Sequence, residues 1–274
     1  MVSSGFDVHV AAPDFVDSSD LKCQLESRSI TAHNFHLRRT GMNPVSDIHT
    51  LWSLWRLICR VSPDVVFTYT TKPVIYGTFA AWLVGVPRRY ALISGLGFAF
   101  SGQDGGITRS IIKATVISLF RHALARAEQI FFQNPDDQFL FLRLGLISSC
   151  SSSTVVNGSG VDLGEFVVTP IQSGPPHFLL IARLLGDKGV REYVQAARII
   201  KSSNPHVIFS LVGWIDDNPD SIKDFELQSW IAEGTVNYLG RLQDVRPAIS
   251  KCSVYVLPSY REGTPRSVLE AMAM

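Results

Sequence analysis

The sequence predicts an α/β protein with parallel sheets, and three observations carry that reading. Apolar runs that end in turn residues alternate with helix-period segments along the chain. One stretch rich in proline and glycine, 169–177, divides the pattern into two parts without any internal repeat. The length, 274 residues with 46% apolar and 18% charged, gives room for two ordinary domains with sizeable cores. The expected organisation is a domain at 1–168, a linker at 169–177 and a second domain at 178–274.

The same composition excludes several classes. A net charge of +1 lacks the basic excess of a general nucleic-acid binder. Cys23, Cys59, Cys150 and Cys252 have no metal-finger spacing and read as buried thiols of a reducing, cytoplasmic compartment. The longest apolar run, 74–86, is shorter than the about 20 residues of a membrane span. The N-terminus lacks the basic start and long apolar stretch of a signal peptide.

In order, residues 1–6 read as a last helical turn stopped by Gly5, and 7–12 as a strand. Further strands are expected at 65–70, 89–93 and 129–133, with a short one near 154–157, where β-branched and aromatic residues gather. Helices are expected near 46–61, 72–84, 107–127 and 135–144. Prolines 170, 175 and 176 with Gly174 stiffen the linker. Beyond it, strands at 178–182, 207–212, 236–239 and 254–257 alternate with helices at 190–202, 222–232 and 245–251. Val194, Ala197 and Ile200 mark one apolar face of the first of these helices. Such alternation gives right-handed crossovers, so every loop after a strand reaches the same sheet edge. The loops 183–189, 213–219, 240–244 and 258–264 therefore converge where open α/β sheets bind ligands.

Two of these loops carry suggestive chemistry. Glu262 follows the last strand, Thr264 is expected to cap the next helix, and Pro265 suits its first turn. Glu270 then lies roughly 7 Å further along the axis. Free N–H groups at a helix start suit phosphates, and the two carboxylates suit sugar hydroxyls. Arg183 directly after a strand and Lys188 just before a helix suit a diphosphate. The plain readings are a turn with solvated basic residues, a loop acid and an exposed helical glutamate. Convergence on one edge favours the site.

Other motifs stay open. No GxGxxG follows the strand at 178, so a dinucleotide cofactor is not expected. The glycine-rich 95–102 reads equally as a structural turn and as a substrate loop. No DxD or paired histidines appear, and IDDNPD at 215–220 reads as the start of a helix, so no metal is expected. Arg109, Lys113, Arg121, His122 and Arg126 on one helix, and Arg38, Arg39, Trp52, Trp55, Arg56 and Arg60 around another, suit an anionic membrane surface. Buried helices with solvated basic faces are the plainer account.

ARLLGDKG at 182–189 and the acid–seven–acid signature from Glu262 to Glu270 resemble glycosyltransferase family 4, the retaining, nucleotide-sugar-dependent enzymes of GT-B fold. PDVVFTYTTKPVIYG, ISGLGFAFSG, FFQNPDDQFLF and NGSGVD support the likeness, which resembles the bacterial branch making O-antigen, capsule or other lipid-linked polysaccharides. The resemblance implies two Rossmann-like domains facing across a cleft. It implies a hexose or N-acetylhexosamine moved from a nucleotide sugar, expected to be UDP-linked, to a lipid-linked or oligosaccharide acceptor, without cofactor or metal.

By position, Arg183 and Lys188 hold the donor diphosphate, Glu262 lies by the donor sugar, and Gly263 and Thr264 face sugar and phosphate. Arg183, Lys188 and Glu262 are the expected catalytic residues. Glu270 takes the ribose hydroxyls and Gly240, Arg241 and Leu242 the base. Lys72, Ser94, Gly95 and Gly97 fall on the acceptor side, Ser94-Gly95 standing where many members have a histidine. The family's first strand and its glycine-rich loop are expected before residue 1, and the end of the second domain beyond Met274. A fragment of low solubility and little activity is therefore expected. The rivals are a nucleotide-sugar 2-epimerase and an inactive nucleotide-sugar-binding fragment. The expected location is the cytoplasm, peripheral at the membrane's inner face.

Overall fold

The computed structural model describes residues 1–13, 19–38, 43–94 and 107–274, excluding the side chains of 19, 20 and 107–113. Contacts divide the chain into compact units Met1–Val156 and Asn157–Met274.

In the first unit a 3-10 turn, Val2–Ser4, ends at Gly5 with φ 82°, a left-handed stop that glycine adopts without strain. Strand β1 (Val8–Ala12) pairs in parallel with β2 (Ile30–Asn34), with helix α1 (Ser19–Ser27) between them in sequence. Helix α2 (Pro44–Val61) starts where the Asn43 side chain accepts from the Val45 and Ser46 N–H groups, with Pro44 in the first turn. Its buried stripe is Asp47, Thr50, Leu54 and Ile58, a helical repeat. Then follow β3 (Val65–Tyr69), α3 (Thr71–Val84), β4 (Arg88–Ile93), α4 (Ile107–Leu124), β5 (Gln129–Phe132), α5 (Pro135–Arg143) and β6 (Ser153–Val155). The last four strands form a parallel sheet in that order. Val74, Ile75, Phe120 and Phe141 from α3, α4 and α5 close over Ala91, Ile93, Ile130 and Phe132 to make the core.

The second unit contains β7 (His177–Ile181), a 3-10 turn Gly186–Lys188, α6 (Val190–Ser203), β8 (Ile208–Val212), α7 (Asp224–Ala232), β9 (Asn237–Tyr238), α8 (Arg246–Ile249), β10 (Val254–Tyr255) and α9 (Arg266–Ala273). Its sheet order is β10-β7-β8-β9, all parallel. Leu180 and Leu211 pack with Val190, Val194 and Leu227 on one face. Leu179 and Val212 pack with Phe166, Ala248 and Ile249 on the other. Both faces are covered, so β7 reads as the unbroken apolar run FLLI.

Several expectations change. The units divide at Val156/Asn157 and not at 168. Phe166 is buried among residues of the second unit, and the Thr169 N–H donates to the Met274 carbonyl, so the expected linker starts inside that unit. Cys23, Cys59 and Cys150 are exposed, against the buried thiols expected, because they occupy outward helix or loop positions. Residues 215–220 form a turn and not a helix start, since α7 begins only at Asp224. Thr264 does not cap α9. Pro265 holds the cap position, and its carbonyl accepts from Val268.

Candidate active site

The strand order of the second unit decides which loops touch. β10 and β8 flank β7, so the loops after those two strands meet the loop after β7 from either side. Gly189, at φ +69°, lets that loop press backbone to backbone on the next: an added Cβ would lie 2.1 Å from the Pro258 carbonyl oxygen. The Tyr260 N–H then donates to the Asp187 carbonyl at 3.0 Å. Lys188 is thereby brought to Glu262, Nζ to Oε1 at 2.7 Å, with side-chain exposures of 17% and 24%. Ser259 Oγ donates to the same Glu262 oxygen at 2.7 Å.

On the β8 side, Arg183 Nη1 donates to Asp216 Oδ2 at 2.9 Å. The Gly213 N–H donates to the Gly240 carbonyl at 2.9 Å, and the Arg241 guanidinium lies 4.6 Å over the Trp214 ring. Leu242 packs into the apolar cluster around Phe166. On α9, Glu270 accepts from Arg266 at 2.8 Å, an i,i+4 pair, and is itself mostly buried. Gly263 and Thr264 are partly buried, and an added Cβ on Gly158 would lie 2.7 Å from Thr264 Cβ.

Two further groups tie these residues into one electrostatic neighbourhood. Burial raises the Asp187 carboxyl; Asp220 and Glu262 add to the rise, while Lys188 and Arg183 oppose it. Its Oδ1 is buried with no hydrogen-bond partner among the described residues. Tyr255 donates to the Ile181 carbonyl at 3.1 Å and is pushed up to about 12, first by burial and then by Glu270 and Glu262. A patch of this kind, with cations and carboxylates at the C-terminal ends of parallel strands, suits a polar ligand carrying a diphosphate. Asp187, Asp216, Asp220, Tyr255 and Ser259 went unremarked as site residues in the sequence. Asp216 and Asp220 lay in view within IDDNPD, but only the pairing of β7 with β8 brings them to Arg183 and Asp187.

In the first unit, Lys72 opens α3 at the C-terminal end of β3. It pairs with Asp47 of α2 at 2.8 Å, both side chains being largely buried. Tyr76 is held well above the usual phenol range by burial and by Asp47. Thr70, between β3 and α3, takes φ 68° and ψ 156°, a strained conformation for threonine. Ser94 directly follows β4 and is partly buried, whereas Gly95 and Gly97, with the rest of the glycine-rich loop, lie outside the described residues. Arg39 and the side chains of Arg109 and Lys113 also lie outside them. Two other cations offered for a membrane bind groups of the chain itself. Arg121 donates to the Gly145 and Leu144 carbonyls, closing the end of α5, and Arg126 stacks on Trp82 at 4.3 Å.

Comparison with known proteins identifies both halves. Residues 1–134 match the model described as glycosyl transferase 4-like, and residues 175–274 match the one described as glycosyl transferases group 1. The chain is 29% identical over 252 residues to the N,N'-diacetylbacillosaminyl-diphospho-undecaprenol alpha-1,3-N-acetylgalactosaminyltransferase of Campylobacter jejuni, covering 87% of this chain and 64% of that one. It is 26% identical to the UDP-Gal:alpha-D-GlcNAc-diphosphoundecaprenol alpha-1,3-galactosyltransferase of Escherichia coli, covering 84% and 60%. The chain thus spans less than two thirds of the length of these relatives.

Among solved structures, the fold is similar to sucrose-phosphate synthase from Thermosynechococcus elongatus, with TM-score 0.67, 16% identity and coverage of 97% of this chain and 75% of that one. It is also similar to Anabaena HepE in complex with UDP-glucose, with TM-score 0.63, 17% identity and coverage of 92% and 67%. The chain thus carries a glycosyl transferase 4-like domain followed by a glycosyl transferases group 1 domain, on an α/β, parallel-sheet GT-B fold.

Proposed function

We propose that this chain is the donor-binding and acceptor-side part of a retaining glycosyltransferase. It transfers a hexose or N-acetylhexosamine from a UDP-sugar to a lipid-linked acceptor in cell-surface polysaccharide synthesis. The observation that carries the reading is the Lys188–Glu262 contact between neighbouring strand ends, with Lys188, Glu262 and Arg183 all acting on the Asp187 carboxyl. Arg183 and Lys188 bind the diphosphate and offset the charge it gains as the sugar leaves. Glu262 accepts from donor-sugar hydroxyls and Glu270 from the ribose. The bond from the sugar's anomeric carbon to phosphate breaks while one to the acceptor oxygen forms on the same face. The acceptor's proton passes to the departing phosphate oxygen.

The names of the two relatives support a sugar-diphosphate-polyprenol acceptor, and one of them specifies UDP-Gal. Such an acceptor lies in a membrane, so we assign the protein a peripheral position at the cytoplasmic face. No described helix is long and apolar enough to cross a membrane. The outer face of α2 suits contact with anionic lipid. It exposes Val45, Ile48, Trp52 and Trp55 in one helical stripe, and Arg56 lies 4.7 Å over the Trp52 ring.

The test is transfer from a panel of UDP-sugars to undecaprenyl-diphosphate-linked sugars. A lengthened lipid-linked product that disappears in Lys188→Ala supports the reading. Release of a free epimer, or UDP binding without turnover of any donor, sinks it.

A further inference from the structure

The turn after β8 is built as a rigid strap against the loop after β7. The Leu184 N–H donates to the Trp214 carbonyl at 3.0 Å, and the Ile222 N–H to the Leu184 carbonyl at 2.9 Å. Asp220 closes the far end: its carboxylate accepts from the Asp187 N–H at 2.8 Å and its carbonyl from Gly186 at 2.9 Å. The approach is close: a Cβ on Gly186 would lie 2.7 Å from Asp220 Oδ1.

Asp216 is fixed within this strap at both its backbone and its side chain. Its N–H donates to Ser221 Oγ at 3.1 Å, and its Oδ1 accepts from the Asn218 N–H at 3.1 Å. That leaves Oδ2, which takes Arg183 Nη1 at 2.9 Å. The Arg183 side chain is otherwise about half exposed, 46%, and long enough to sample many rotamers. An exposed pair of this sort contributes little to stability. Its geometry does something else: one nitrogen of the fork is pinned while the guanidinium has further N–H groups to offer.

We propose that Asp216 is a positioning residue of the donor site, holding the Arg183 guanidinium ready for the donor's diphosphate. This rests on the donor-site reading above. The ordering of a rotamer-rich side chain is then completed on folding instead of on binding. The opposite possibility is that Asp216 competes with phosphate for the same cation. The two make opposite predictions for UDP.

The test compares UDP with uridine, which has no phosphate, by titration calorimetry and ligand-observed NMR. Asp216→Ala should weaken UDP about three- to tenfold, the scale of one immobilised long side chain, and leave uridine unchanged. Asp216→Asn, which keeps an acceptor oxygen, should recover most of the loss. In an Arg183→Ala background, Asp216→Ala should have no further effect on UDP. Equal or tighter UDP binding in Asp216→Ala overturns the proposal. So does an equal loss for UDP and uridine, which marks a collapsed strap, or a further loss in the Arg183→Ala background. If the unaltered chain binds no UDP at all, the functional reading fails first and this one with it.

Discussion

Replacing Lys188 by Ala and Glu262 by Gln separates two tasks that one ion pair joins. The pair is 2.7 Å long, with 17% and 24% of its side chains exposed. At that separation and an effective dielectric near 20 the attraction is about 6 kcal/mol, most of which the desolvation of the two charges offsets. The net worth is that of a charge-assisted hydrogen bond, about 1.5–3 kcal/mol. A diphosphate entering this site must draw Lys188 away from Glu262. Lys188→Ala removes a phosphate partner, so the Kd for UDP should rise about ten- to a hundredfold, at 1.4 kcal/mol per tenfold. Glu262→Gln keeps the shape and removes the competitor. UDP lacks the sugar that Glu262 serves, so its affinity should hold or improve by up to about tenfold. Turnover of the complete UDP-sugar should fall in the same variant. Calorimetry with UDP and a turnover assay on each variant read both quantities. Equal losses of UDP affinity in the two variants would refute the reasoning, as would normal turnover in Glu262→Gln.

Gly189→Ala forces a Cβ to within 2.1 Å of the Pro258 oxygen at φ +69°. It should cost more than the roughly 1–2 kcal/mol of the left-handed backbone alone and abolish UDP binding; an unchanged melting curve contradicts this. Arg191 forks onto Glu226 at 2.8 and 2.9 Å and holds its carboxyl down to about 2. Because that value is lowered, the stabilisation is complete above the ordinary value of 4.5 and disappears as pH falls through about 2. Glu226→Gln should flatten this part of the acid-unfolding curve, and coincident curves would dismiss the effect. Trp52→Ala with Trp55→Ala should reduce co-sedimentation with vesicles of equal parts phosphatidylglycerol and phosphatidylcholine by about tenfold. Phe225→Ala, on the exposed face of α7, should not. Equal binding of all three proteins removes α2 from the membrane reading.

Two elements escaped the sequence, and both are explained by composition. α1 reads SDLKCQLES and β2 reads ITAHN, segments with too few apolar residues to show a period. β2 forms because β1 pairs with it along five residues, a tertiary cause. The start of α9 was misjudged by one residue, as helix ends commonly are. At the end of α4, Arg121 stays exposed, as a solvated basic face requires, while it donates to carbonyls; Arg126 is instead partly buried and stacks on Trp82.

Local chemistry by itself determined a good deal. The apolar runs marked β3, β4, β5, β7 and β8, and the alternation with helices made their two four-stranded sheets parallel. Arg183, Lys188, Glu262 and Glu270 were legible as charges at strand ends. Partnership was not. That Lys188 meets Glu262, that Arg183 meets Asp216, and that residues 157–168 join the second unit depend on the lateral order β10-β7-β8-β9. Strand order is settled by which faces the helices bury and by how closely backbones such as Gly189 and Pro258 can approach. Those are contacts between segments far apart in the chain, so no local pattern encodes them.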